Sequence, residues 1–256
     1  MATQAVRSGR AAARTERRDL WWLLPLTVVL VLGSFVVYTT WAGLDNASYW
    51  AKPYLSPFYS PCLASKCEPG TKVLGIFGSW WSLSPAILIL AFPGGFRLTC
   101  YYYRKAYYRS FFWSPPACAV VDASKGYTGE RRFPFILQNI HRYFFYAATI
   151  LLIFLWYDAL YAVHYYGWEF HVGTIVMVVN VILLTSYSAS CHSFRYLTGG
   201  YLDTFFKAPT RYRIWKFVSR LNERHATFAW FSLFSVALTD LYIRLVASGT
   251  ITGRFV

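Results

Sequence analysis

The stretch YFFYAATILLIFLWYDALYAVHY, residues 143–165, carries one formal charge, Asp158, in a run that is otherwise almost wholly apolar or aromatic. A helix needs about 20 such residues to cross a hydrocarbon core of ~30 Å, and one that is apolar on every side belongs in a large core or in lipid. Four further windows share the property: 20–42, 80–103, 172–190 and 226–247. The 256 residues are 56% hydrophobic, 21% aromatic and only 14% charged, which is too apolar for a soluble domain of this length. The expected fold is an all-α membrane protein, a bundle of five transmembrane helices. The window 80–103 is the least regular. Pro85, Pro93, Gly94, Gly95 and an early Arg97 predict a bent helix whose lower part, 97–109, reaches out of the lipid.

Lys and Arg set the orientation. They crowd the N-terminal tail (Arg7, Arg10, Arg14, Arg17, Arg18) and the segments 97–142 and 195–224, while 43–79 has only Lys52, Lys66 and Lys72. By the positive-inside rule the N-terminus is cytoplasmic and the C-terminus outside. Trp21, Trp22, Trp41, Trp80, Trp81 and Trp168 fall near span ends, as an aromatic belt would. The organisation is then a basic cytoplasmic tail, 1–19, and a single membrane domain, 20–256, with a long outer loop 43–79, inner loops 104–140 and 195–224, and no internal repeat. The first apolar run is long enough to span and lacks a small-residue cleavage site, so it reads as an uncleaved helix. A net charge of +14 raises nucleic acid as a partner, but the charges lie between apolar segments rather than along one polar face, which excludes it. No dinucleotide fingerprint or phosphate loop is present.

Topology sorts the metal-capable residues. Cys62 and Cys67 lie outside, in the Pro-rich loop YLSPFYSPCLASKCEPG, and in an oxidising compartment they read as a disulfide. Cys100, Cys118, Cys191, His141, His192 and His225 fall at the inner membrane face; His164 and His171 lie near the outer one. A lone Cys or His there is ordinarily a packing or capping residue, but six from separate segments at one depth point to a redox metal, since such groups are costly or reactive near lipid. A haem b needs two facing imidazoles. A [2Fe-2S] cluster of mixed ligation needs two thiolates and two imidazoles, and three inner Cys beside three inner His favour it over haem or zinc. Cys191 and His192 project ~100° apart on a helix and do not both bind one cluster. Asp240 and Arg244 are expected to form an i,i+4 ion pair, and Asp158 with His164 are candidates for a proton path, a second quinone site or a helix-bridging hydrogen bond.

The stretches YLSPFYSPC (54–62), FRLTCYYYRKAYYRSFFWSPPACAV (96–120), QNIHRYFFY (138–146) and SCHSFRYLTGG (190–200) resemble the membrane anchor of an actinobacterial succinate dehydrogenase. The resemblance implies a five-helix subunit, multi-pass in the plasma membrane, that docks a flavoprotein and an iron–sulfur subunit on its cytoplasmic face. It would pass succinate's electrons to menaquinone as part of the enzyme while lacking the catalytic head. The usual five-helix form binds two b haems through His on helices one, two, four and five. Here the first helix has no His, and Cys100 stands where the second would offer one. The branch most resembled is associated with a membrane-embedded Rieske-type [2Fe-2S] cluster. The expected ligands are two of Cys100, Cys118 and Cys191 with two of His141, His192 and His225, and helix order in the family points first to Cys100 and His225. Tyr101, Tyr103, Arg104, Arg195 and Trp230 are the expected quinone-binding residues, with interfacial anchoring as their plainer role. The alternatives are a two-haem cytochrome b anchor and a non-redox transporter, and the number of copies, a higher oligomer included, stays open.

Overall fold

A computed structural model describes residues 19–64, 67–68, 71, 74–118, 120, 133–200 and 202–251. The basic tail with its five arginines, and Lys66 and Lys72, lie outside the described residues. Among those described, eight helices follow in order: α1 (Leu23–Asp45), α2 (Pro85–Thr99), α3 (Tyr101–Phe111), α4 (Phe133–Tyr165), α5 (Val172–Ala189), α6 (His192–Gly199), α7 (Pro209–Glu223) and α8 (His225–Ala247). A two-stranded antiparallel ribbon, β1 (Trp50–Ala51) and β2 (Tyr54–Leu55), lies between α1 and α2.

Among the described residues, four helices are long and apolar enough to cross a membrane: α1, Ile140–Tyr165 of α4, α5 and α8. The fifth expected span is different. Ser84 caps the start of α2 by accepting from Ala86 N, Pro85 occupies the first turn, and the helix ends after only 15 residues. At 1.5 Å per residue that is about 22 Å, short of the hydrocarbon thickness. The continuous bent helix expected over 80–103 is therefore replaced by two helices. Pro93 sits inside α2 without ending it, and the break falls at Cys100, whose extended backbone (φ −62°, ψ 129°) separates α2 from α3. Helix α4 starts at Phe133, so the end of the expected inner loop 104–140 is helical and His141 lies within the helix.

The four candidate spans leave large apolar side chains exposed, among them Leu24, Leu30, Val37, Ile153 and Leu238. Apolar surface of that extent suits lipid rather than water. Trp22, Trp41, Trp80 and Trp168 are exposed at helix ends or in the adjoining loops, where interfacial aromatics belong.

The segment after α1 roofs one end of the bundle. Tyr49 and Tyr59 stack with ring centroids 3.9 Å apart, Tyr59 donates to Ala42 O at 2.8 Å, and Tyr49 OH accepts from Glu68 N at 2.7 Å. Burial raises the Tyr49 phenol above its ordinary pKa. Cys62 and Cys67 are joined by a disulfide. Beneath this roof the Asp240–Arg244 pair forms as expected, Nε to Oδ2 at 2.8 Å, but it is part of a larger network. Tyr38 donates to Asp240 at 2.6 Å and Ser56 donates to its other oxygen, while Arg244 also reaches Asp45 at 2.8 Å and the carbonyls of Ala47 and Ala42. Helices α1 and α8 and the roof are thus tied by charges that are both buried and fully partnered, the only form in which buried charge is cheap. Asp158 accepts a hydrogen bond from Ser60 of the roof, whereas His164 is exposed and packs against the Trp168 ring.

Candidate metal centre

At the opposite end of the bundle, two helices stop within two residues of a cysteine. Helix α2 ends at Thr99 and α5 at Ala189, and both Cys100 and Cys191 adopt extended backbone and begin the next helix. Each break turns a thiol inward: Cys100 is 3% exposed and Cys191 1%. Two imidazoles meet them from other helices. His141 of α4 brings Nε2 to 3.1 Å from Cys191 Sγ, and His225, the first residue of α8, brings Nε2 to 3.4 Å from Cys100 Sγ. Burial pushes the Cys191 thiol up to about 12, with Ser193 N donating weakly to its sulfur at 3.4 Å. A metal there must displace a proton.

The two halves are built alike. Phe96-Arg-Leu-Thr99-Cys100 and Tyr187-Ser-Ala-Ser190-Cys191 share an aromatic, a hydroxyl and a thiol at the same spacing. Phe96 stacks on His141 (4.9 Å, 10°) and Tyr187 on His225 (5.1 Å, 17°). Thr99 Oγ1 lies 2.8 Å from His141 Nδ1, and Ser190 Oγ 2.8 Å from His225 Nδ1. The arrangement is crossed. Each short segment stacks on and hydrogen-bonds one imidazole while its thiol meets the other. A local pattern therefore recurs where no repeat was expected, and four supporting residues, Phe96, Thr99, Tyr187 and Ser190, escaped the sequence reading. The signal available was the five-residue spacing itself.

Two of three inner Cys and two of three inner His were expected to meet, and the structure brings together Cys100, Cys191, His141 and His225. Cys118 lies exposed in the loop after α3. His192 is exposed and lines a neighbouring cleft rather than joining the pairs; the expected ~100° helical offset does not apply, because Cys191 is extended and His192 opens α6. Among the described residues no three His, Cys, Asp or Glu are grouped so as to hold a single metal ion. The donor set is two Cys–His pairs, each a thiol and an imidazole brought together from different segments.

The quinone candidates divide. Tyr101 and Arg104 line a cleft of about 670 Å³ together with Thr99, His141, Arg142 and His192, and the Arg104 guanidinium lies over the Tyr101 ring at 5.8 Å. Tyr103 does not line it. Its buried hydroxyl donates to Ala229 O at 2.7 Å and accepts from Arg97 at 2.6 Å, and burial pushes its phenol up to about 12. Trp230 donates to Tyr102 OH at 2.6 Å, and Arg195 donates to Ser219 at 3.0 Å while lying over Trp215. A second cavity, of about 470 Å³ and mostly apolar, runs between α1, α2 and α4 to Phe96, Arg97 and Tyr187.

Residues 23–249 match the family model of the actinobacterial succinate dehydrogenase subunit SdhC. The chain belongs to that family. All four residues of the paired centre lie within the matched span. The chain is also similar to a chain of the Mycobacterium smegmatis Sdh1 complex in the apo form, at 50% identity over 98% of each chain with a TM-score of 0.87. No curated protein matches it. The chain is accordingly a membrane-embedded subunit of a succinate dehydrogenase complex, the anchor that its apolar helices make it.

Proposed function

We propose that this subunit holds the iron–sulfur and flavoprotein subunits of succinate dehydrogenase at the plasma membrane and relays succinate's electrons to menaquinone through a [2Fe-2S] cluster. Cys100, Cys191, His141 and His225 are the ligands of this reading. The observation that carries it is their convergence: two thiols and two imidazoles from four segments, with both imidazole Nε2 atoms facing sulfur at 3.1 and 3.4 Å. When bound, such a cluster supplies one-electron transfer at a potential raised by its two neutral imidazole ligands. A haem b is less well served, because each imidazole abuts a thiol where a macrocycle would need open space.

The chain's own residues do the rest. Burial of both cysteines and stacking of Phe96 and Tyr187 on the imidazoles exclude water from the centre. Arg104, fully buried, and Tyr101 sit beside His141 on the polar cleft, so a quinone carbonyl there has cationic and phenolic donors within a short electron path. Reduction of menaquinone takes two electrons and two protons, and the cleft's opening beside exposed His192 gives the protons a route. Arg109, Arg142, Arg211 and Arg220 ring the same end, which presents a basic face to an acidic partner surface on the cytoplasmic side.

The test is made on the purified complex. Iron and acid-labile sulfide beyond the partner subunits' share, with a rhombic electron paramagnetic resonance signal of low average g on reduction, support the proposal. A pyridine haemochrome with no such signal replaces it by the cytochrome b reading. Neither signal leaves the non-redox reading.

A further inference from the structure

We propose that Thr99 and Ser190 are positioning residues that hold His141 and His225 as their Nδ1–H tautomers, so that both imidazoles turn the Nε2 lone pair toward the centre. The inference rests on the cluster reading above and adds the residues that make two neutral histidines competent ligands.

A hydroxyl has one hydrogen and two lone pairs. Thr99 spends its hydrogen on Gly95 O at 2.7 Å, one turn back in α2, and Ser190 spends its hydrogen on Tyr187 O at 2.9 Å. With that hydrogen committed, each oxygen has only acceptor capacity left for the imidazole 2.8 Å away. The ring nitrogen facing it, Nδ1, must then carry the proton. An imidazole protonated at Nδ1 keeps its lone pair at Nε2, the atom that faces sulfur in both halves. The alternative tautomer would set a lone pair against a lone pair unless both hydroxyls abandoned their carbonyls.

Orientation is fixed in two directions. Stacking on Phe96 or Tyr187 sets the plane of each ring, and the hydroxyl sets its rotation within that plane. Carboxylates and carbonyls commonly play this part around ligating imidazoles. Here neutral hydroxyls do so, adding no negative charge to a site that must accept an electron. The hydroxyl also immediately precedes the thiol of the other pair, so one backbone break at each helix end places a ligand and an orienting group together.

Thr99→Val keeps the shape of the side chain and removes the oxygen; Thr99→Ser restores it. Ser190→Ala and Ser190→Thr form the corresponding pair. Each is examined in the assembled complex by iron content, pulsed paramagnetic resonance of the ligand nitrogens and potentiometric titration. Thr99→Val is expected to lower metal affinity by the order of 10–100-fold typical of losing an orienting partner, and to alter the coupling of one ligand nitrogen. Ser190→Ala should alter the other. Thr99→Ser and Ser190→Thr should return both affinity and couplings. A general loosening of the bundle would move both nitrogens at once and would not be reversed by the conservative variants.

If the wild-type signal is present and neither variant changes iron content, nitrogen couplings or potential, the positioning role is overturned and the cluster reading survives. Should Thr99→Val fail to assemble, Ser190→Ala, which deletes a single atom, decides by the same readouts. Absence of any mixed-ligand signal from the wild-type complex overturns both readings.

Discussion

His141 Nε2 lies 3.1 Å from Cys191 Sγ, although 50 positions separate the two in the chain, and the companion contact of His225 with Cys100 spans 125. These two contacts divide the six metal-capable residues of this end into those that meet and those that do not. Substitution of Cys100, Cys191, His141 or His225 by Ala should abolish the mixed-ligand signal and quinone reduction, while succinate oxidation with a soluble dye persists. Cys118→Ala and His192→Ala should retain the signal. Signal loss in Cys118→Ala with retention in Cys191→Ala would reverse the assignment.

Arg97 donates to Tyr103 OH, Ala229 O and Ser232 Oγ, all neutral, and its guanidinium lies 4.7 Å from the centroid of the Tyr187 ring that stacks on His225. A cation with no carboxylate partner among the described residues stabilises the state with the extra electron, and low-dielectric surroundings strengthen the effect. Arg97→Gln should lower the midpoint potential of the centre, each ~59 mV corresponding to a tenfold change in the one-electron equilibrium. An unchanged or raised potential by redox titration would refute this sign.

Asp240 is fully buried and Arg244 nearly so, and together they hold α1, α8 and the roof. Asp240→Ala leaves the guanidinium buried with its main counter-charge removed, which costs about 3–5 kcal/mol. Thermal unfolding of the solubilised complex should show the loss. The double variant Asp240→Leu with Arg244→Met should lose less than the sum of the single changes.

The Cys62–Cys67 disulfide closes a loop of a few residues at the roof, so by loop entropy it contributes about 2 kcal/mol. Changing both to Ser should lower the thermal midpoint and leave the redox signal intact, because the roof and the metal centre occupy opposite ends of the bundle.

Tyr103 is neutral in its buried site, its phenol raised by desolvation from 10.0 to about 12. A raised acid holds its proton more tightly when folded, so this contribution is intact below pH 10 and lost as the pH climbs from about 10 to about 12. Tyr103→Phe should flatten that alkaline loss of stability, read as the pH dependence of thermal unfolding.

The four candidate spans could be read from sequence because hydrophobic length is a local property: any stretch such as 143–165 declares itself wherever it packs. The presence of Cys and His near one membrane face was equally readable, since topology follows from counting Lys and Arg. The shortness of α2 was not, because nothing in LTCYYYRK tells a continuing helix from one broken at Cys100. Helix order in the family resembled pointed to Cys100 and His225, but sequence could not choose Cys191 over Cys118 or His141 over His192. Helix packing brings α4 and α8 to the two helix breaks, and that meeting of distant segments alone decides which thiol faces which imidazole. Thr99 and Ser190 look in sequence like ordinary helix-end hydroxyls, and only the ring placed 2.8 Å away gives them a partner.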